Sequence, residues 1–239
     1  MHLLVTLASL LLWITGANAH FATDPSGHWE GTITAQFGTI RIALDLTKAD
    51  DGKPTGTFSV PERHLNGLPL LTITVSEKGL AFEPVVIGAR FYGDFAADGN
   101  SIEGMFEGMS GSVPVTLTRN GEARITPAPR NAAVSKQLEG TWNGTLHADG
   151  VKRLMLKVAN QADNSAKASM ISLDEGMLEL PVAIAQHGSD ITVTAPMVSS
   201  TYTGSLNADG TELVGTYKTA DGFELPLTLK RASASDAKK

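Results

Sequence analysis

The stretch Gly27-His28-Trp29-Glu30-Gly31-Thr32 returns as Gly140-Thr141-Trp142-Asn143-Gly144-Thr145, 113 residues further along the chain. Working outward, Leu68-Pro69 returns as Leu180-Pro181, and Ala97-Asp98-Gly99 as Ala208-Asp209-Gly210. Pro114-Val115-Thr116-Leu117-Thr118-Arg119 returns as Pro226-Leu227-Thr228-Leu229-Lys230-Arg231. Four matches in the same order, with an offset drifting only between 111 and 113, identify a tandem duplication. The copies span residues 27–119 and 140–231. Residues 120–139, with Pro127 and Pro129, read as a linker, and residues 232–239 as a disordered tail.

Within each copy the period is two. Trp29, Gly31 and Ile33 alternate with Glu30, Thr32 and Thr34, and Ile40, Ile42, Leu44 and Leu46 alternate with Arg41, Ala43 and Asp45. That alternation places one side of a strand in a core and the other in water. The same reading puts Pro69, Leu71, Ile73 and Val75 on one face. Asp-Gly pairs at 51–52, 98–99, 149–150, 209–210 and 221–222 fall between such runs, where tight hairpins need positive φ. The expected fold is all-β: two tandem small antiparallel β-barrels of roughly eight strands each. A pair of open sandwiches is the alternative.

Arg119 shares a face with Val113, Val115 and Leu117, and Arg231 with Leu225, Leu227 and Leu229. A guanidinium ending an apolar row needs a partner, and Trp29 and Trp142 offer aromatic faces for it. These four residues are the expected structural lock. A Gly-x-Trp on the first strand with an Arg on the last resembles the signature of lipocalin-like barrels. The longer pattern resembles the non-catalytic β domain that precedes α/β-hydrolase domains in secreted bacterial esterases and peptidases. Gly140-Thr141-Trp142-Asn143-Gly144-Thr145-Leu146, Leu206-Asn207-Ala208-Asp209-Gly210-Thr211-Glu212-Leu213 and Leu225-Pro226-Leu227-Thr228-Leu229-Lys230-Arg231 carry it. No hydrolase segment accompanies these residues, so the resemblance implies a fold and a docking role but no hydrolysis.

Leu3 to Ile14 is an uncharged apolar run, and Ala17-Asn18-Ala19 supplies a small-x-small cleavage pattern. Residues 1–19 read as a signal peptide cut between Ala19 and His20, with 20–26 as a leading segment. The expected location is periplasmic or secreted, with no membrane attachment once the leader is gone. The 239 residues carry a net charge of -6, no Cys, 18% charged and 42% hydrophobic side chains. That balance excludes a disordered chain, a disulfide scaffold and a thiolate metal site. Residues 27–119 hold 7 basic and 11 acidic side chains, and residues 140–231 hold 7 and 10, so neither copy suits a nucleic-acid backbone.

Chemistry is harder to find. Gly108-Met109-Ser110-Gly111-Ser112 ends in Ser and lies between strands, so it is a hairpin and no nucleophile elbow. His20, at the new N-terminus, is a metal ligand only if His28, His64, His147 or His187 approaches it, and spacing brings no pair together. Asp50-Asp51 and Asp174-Glu175 sit in turns. The loop Pro61-Glu62-Arg63-His64-Leu65-Asn66-Gly67 has a counterpart around Ser172 to Gly176 that reads as shorter and contains neither His nor Arg; the loop is either a candidate overhang at a barrel mouth or a tolerated surface insertion. The expectation is no enzyme, no catalytic residues, no metal and no cofactor. The chain reads as a binding module for a small or lipid-like apolar ligand; the alternative is an accessory protein that docks onto a secreted hydrolase or a polymer. Intact-mass measurement on protein from the native host should return a chain beginning at His20. A mass retaining Met1 to Ala19 contradicts the export reading.

Overall fold

The computed structural model describes residues 24–233 apart from 36–37, 86–87, 109–110 and 149. The leader, the Ala19–His20 junction, Ser110, Asp149 and the tail from 234 onward lie outside the described residues. Eight strands form the first sheet: β1 (Gly27–Ala35), β2 (Gly38–Lys48), β3 (Pro54–Val60), β4 (Leu65–Val75), β5 (Gly79–Pro84), β6 (Arg90–Phe95), β7 (Ser101–Gly108) and β8 (Gly111–Arg119). They pair in sequence order, all antiparallel, and β1 meets β8 to close a barrel.

The second sheet holds β9 (Asn131–Ala132), β10 (Gly140–Ala148), β11 (Gly150–Asn160), β12 (Ser165–Ser172), β13 (Leu178–Pro181), β14 (Ala183–His187), β15 (Asp190–Ala195), β16 (Ser200–Leu206), β17 (Glu212–Lys218) and β18 (Glu224–Arg231). β10 meets β18 in the register that β1 and β8 use, Trp142 opposite Arg231 and Trp29 opposite Arg119. This sheet is a nearly closed barrel. Its two edges, β13 and β14, are consecutive in the chain and joined through Val182.

The same lock ends both barrels. Trp29 and Trp142 are fully buried, and the guanidinium carbons of Arg119 and Arg231 lie 4.2 Å from the centres of their rings. The Trp29 indole donates to Pro25 O at 2.8 Å and the Trp142 indole to Leu138 O at 3.0 Å, four residues upstream in each case. Arg119 donates to the carbonyls of Ser26, Asp24 and Gly99; Arg231 donates to those of Glu139, Gln137 and Gly210. One side chain thus ties the entering segment, the last strand and an Asp-Gly turn together. Gly27 and Gly140 make room for it. A Cβ on either lies 2.9 Å from the guanidinium, and both have strongly positive φ.

Each barrel has its own core. The first is all apolar and filled, with Phe58, Phe82, Phe91 and Phe106 in a chain of ring contacts 5.1 to 6.0 Å apart. The second gathers around Trp142, Leu156, Val193, Tyr202 and Leu229. The alternation expected over Pro69–Val75 fails at one residue. A bulge between Leu70 and Thr72 shifts the register, so Leu71 faces out while Leu70 and Ile73 turn in.

The segment between the barrels is anchored at both ends. Arg124 N donates to the buried Asp45 carboxylate at 2.7 Å, and Asn120 to Glu30 at 2.9 Å. His28 sits between these acids, Nδ1 2.7 Å from Asp45 and Nε2 3.0 Å from Glu30. Bonds from Asn120 and His28 hold the Glu30 carboxyl below its usual range. At the other end Asn131–Ala132 is a strand, β9, paired with β12.

In the chain beginning at His20, two tryptophans remain, one per barrel. Trp142→Ala should cost the second barrel about 3–5 kcal/mol, the usual loss for a buried aromatic. In urea, circular dichroism should then show an early transition that Trp29 fluorescence does not follow. Coincident transitions would contradict two independent cores.

Candidate functional site

A depression of about 980 Å³ is an open trough on the outer face of β10–β13 under residues 128–131. In its lining Lys157 and Ser169 both bond Glu179, and Asp163 bonds Ser165, beside Arg130 and Lys167.

The end of each barrel opposite the lock is more informative. Cross-strand register aligns the two copies residue by residue, because Phe91 faces Phe106 across β6–β7 as Tyr202 faces Tyr217 across β16–β17. At the open end, five inward positions change character together. Ile40, Val60, Ala89, Phe91 and Phe106 in the first barrel become Lys152, Ser172, Ser200, Tyr202 and Tyr217 in the second. The first mouth is greasy; the second carries three kinds of hydrogen-bonding group.

Their geometry is specific. Tyr217 donates from its hydroxyl to the buried Ser200 Oγ at 2.7 Å. Lys152 reaches Glu175 on the β12–β13 connection at 2.8 Å, which raises the ammonium pKa. Tyr217 lies within electrostatic reach of both charges, and burial raises its own pKa. Two hydroxyls have no such partner: Ser172 Oγ and Tyr202 OH are buried without a hydrogen bond among the described residues. Burial alone pushes the Tyr202 phenol up to about 12. An unpaired buried hydroxyl costs about 1–3 kcal/mol, so these two positions are not explained by stability.

The loop expected to overhang a mouth reaches the other barrel. His64 Nε2 lies 3.4 Å from Asp221 on the β17–β18 turn, and Asn66 donates to Ser199 Oγ beside β16 at 3.3 Å. Its counterpart is not shorter: Val60 to Leu68 and Ser172 to Leu180 span the same distance in sequence. The two connections share a clamp, Arg41 on Glu62 and Arg153 on Asp174. Asp174 and Glu175, a solvated turn by sequence, are therefore both engaged. A groove of about 390 Å³ follows the seam, lined by Leu71, Glu83, Ala89, Arg90 and Glu107 of the first barrel and Gly176 of the second. Met177 and Phe223, 59% and 68% exposed, project from the second barrel's connections at the same end, and Leu71, 69% exposed, from the first.

Of the residues singled out by sequence, Trp29, Arg119, Trp142 and Arg231 lie at the far ends from this seam. Among the described residues no group of three or more His, Asp or Glu side chains is arranged to hold a metal ion, and no helix is long and apolar enough to cross a membrane. Sequence reading missed Ser172, Ser200, Tyr202 and Tyr217 as a set. Laying the copies over one another at offsets of 111 and 112 reveals them.

Tyr202→Phe restores the residue type of the first barrel and should stabilise the second by about 1 kcal/mol, the gain from deleting an unpaired buried hydroxyl. The phenol titrates higher folded than unfolded, so its neutral form contributes stability that is present below pH 10.0 and lost as pH rises through about 12. Alkaline unfolding followed by circular dichroism should therefore move to higher pH in the variant. An unchanged or lower midpoint contradicts the assignment.

No family model matches the chain, and no curated protein matches it. Among solved structures, similarity is found to a redesigned β-barrel bound to DFHBI, at 19% identity and a TM-score of 0.29, covering 40% of this chain and 100% of that one. A DUF3598-family protein of unknown function from Nostoc punctiforme matches at 13% identity and a TM-score of 0.26, over 87% of this chain and 96% of that one. A Bacteroides fragilis structure, provisionally described as an outer membrane protein, matches at 11% identity and a TM-score of 0.26, over 87% and 95%.

Proposed function

We propose that the chain is an exported, non-catalytic binding module that takes a small amphipathic ligand at the seam between the barrels. The observation that carries this reading is the coordinated replacement of five apolar inward residues by Lys152, Ser172, Ser200, Tyr202 and Tyr217, two of them with unpaired buried hydroxyls. A ligand with a hydroxyl, carbonyl or amide head supplies the missing partner for Ser172, the orphan nearest the rim. Its apolar part lies against Leu71, Met177 and Phe223, which the fold leaves exposed. Polar groups placed at one point of an otherwise apolar surface are the usual means of orienting such a molecule. Among the described residues no imidazole hydrogen-bonds these hydroxyls as a base would, and His64 pairs with Asp221.

A second reading has its own support. Val151 at the start of β11, Met177 on the β12–β13 connection and Phe223 on the β17–β18 connection are exposed at the open end of the second barrel. Apolar tips in that arrangement suit docking onto another protein, such as a secreted hydrolase.

The test uses the first barrel as template. Ser172→Val with Ser200→Ala and Tyr217→Phe installs residues that a closed barrel of this chain already tolerates, so the variant should fold. Solvent extraction and mass spectrometry of purified wild type should release a small molecule in near-stoichiometric amount, and the triple variant should release none. Equal release from both defeats the site. No release from wild type, with capture of a partner lost on Phe223→Ser, selects the docking reading.

A further inference from the structure

The polar mouth of the second barrel can be read proton by proton. Ser172 Oγ is buried with no hydrogen-bond partner among the described residues, so its O–H has no acceptor. Ser200, 3% exposed, accepts from the Tyr217 hydroxyl at 2.7 Å. Its own proton is still to be placed, since a hydroxyl carries a donor beside its lone pairs. Lys152 uses one N–H on Glu175 at 2.8 Å and keeps the others.

These groups belong to one patch. Leu154 lies opposite Ser172 across β11–β12, and Lys152 is the next inward residue of β11, a diagonal neighbour of Ser172. Lys152 and Glu175 both lie within electrostatic reach of Tyr217, which holds Ser200. Glu175 is half exposed and has water for its remaining lone pairs. The patch therefore offers a ligand donors first.

Charge narrows the choice. Among the described residues, each carboxylate on the second barrel's connections at this end faces a basic side chain. Glu175 has Lys152, Asp174 has Arg153, Glu224 has Lys218, and Asp221 has the His64 ring of the first barrel. A head group with its own charge must compete with such a pair: a carboxylate sits beside Glu175, an ammonium beside Lys152. A charge that loses water without gaining a free counter-ion is costly. An alcohol or primary amide avoids that cost but brings protons that need acceptors. A ketone or ester oxygen only accepts, and it can take protons from Ser172 and Lys152 without displacing Glu175.

We propose that the head of the ligand is an uncharged carbonyl, a ketone or ester, received by Ser172 and Lys152. The inference rests on the seam reading and narrows it from an amphipathic molecule to one chemical class. Lys152 has a selective part in it: held by Glu175, the ammonium donates without favouring an anion.

Four probes of one chain length separate the head groups: methyl octyl ketone, decyl alcohol, decanoate and decylammonium. Each is titrated by NMR into purified protein stripped of bound molecules, with the protein's own solvent extract as a further arm. The ketone should bind more tightly than the alcohol and about tenfold more tightly than either charged probe, the difference one charge-assisted hydrogen bond makes. Ser172→Val should remove that advantage, and Ser172→Thr, which keeps the hydroxyl, should retain it. Lys152→Ile installs the first barrel's residue and leaves Glu175 without its cation, so preference should turn to decylammonium. Equal or tighter binding of the alcohol, decanoate or decylammonium by wild type, with shifts at Ser172, overturns the carbonyl assignment and leaves the seam reading standing. Silence from all four probes while the extract still shifts Ser172 does the same. Silence from the extract as well overturns the seam reading, and this inference with it.

Discussion

The structure depends on a guanidinium lying flat on a buried indole. A β-sheet that curls into a barrel must bring its first and last strands into one register, and here the register is set by Arg119 over Trp29 and Arg231 over Trp142. The stack works because it joins three demands. The arginine fork is fixed by main-chain carbonyls, its face meets a ring that excludes water, and its stem continues an apolar row. Lysine meets only the last of these. With closure assigned to one end, the opposite end is free of that constraint, and there the two copies diverge.

The divergence is concentrated at a few inward positions. Phe91 and Tyr202 are the same ring in the same place, differing by one oxygen that has no partner. Val60 and Ser172 differ in the same sense. A core selected for packing alone would keep the first barrel's residues, since an isolated hydroxyl in an apolar interior is a net loss. Two such losses are retained beside the Tyr217–Ser200 bond and the Lys152–Glu175 pair, and they are what supports the recognition role proposed for the second mouth. The loop carrying His64 and Asn66 brings the first barrel against that mouth through Asp221 and Ser199.

Much of the fold was legible in the chain. Period-two alternation, Asp-Gly turns and the repeat identify antiparallel strands because each is a local property, and the Arg–Trp pairing follows from parity along β8 and β18. The bulge at Leu71 was not legible: the residue is as apolar as its neighbours, and only the failure of β4 to pair continuously with one partner turns it outward. Asn131 escaped for a different reason. A side-chain amide standing in for a peptide group leaves no periodic trace, and the segment around it looks like linker by composition. The polar mouth was hidden because Ser, Tyr and Lys at alternate positions read as ordinary strand residues until each is set against its copy.

If recognition belongs to the seam at the second barrel's mouth, a bound molecule perturbs that mouth before any other surface. Chemical-shift mapping on the protein stripped of bound molecules and then given back its own solvent extract addresses it most directly. Shifts should gather on Lys152, Ser172, Ser200, Tyr217 and the loop around His64, with the Trp–Arg ends silent. Shifts centred instead on the trough formed by residues 128–131 and 165–169, or on the first barrel's phenylalanine core, would contradict it.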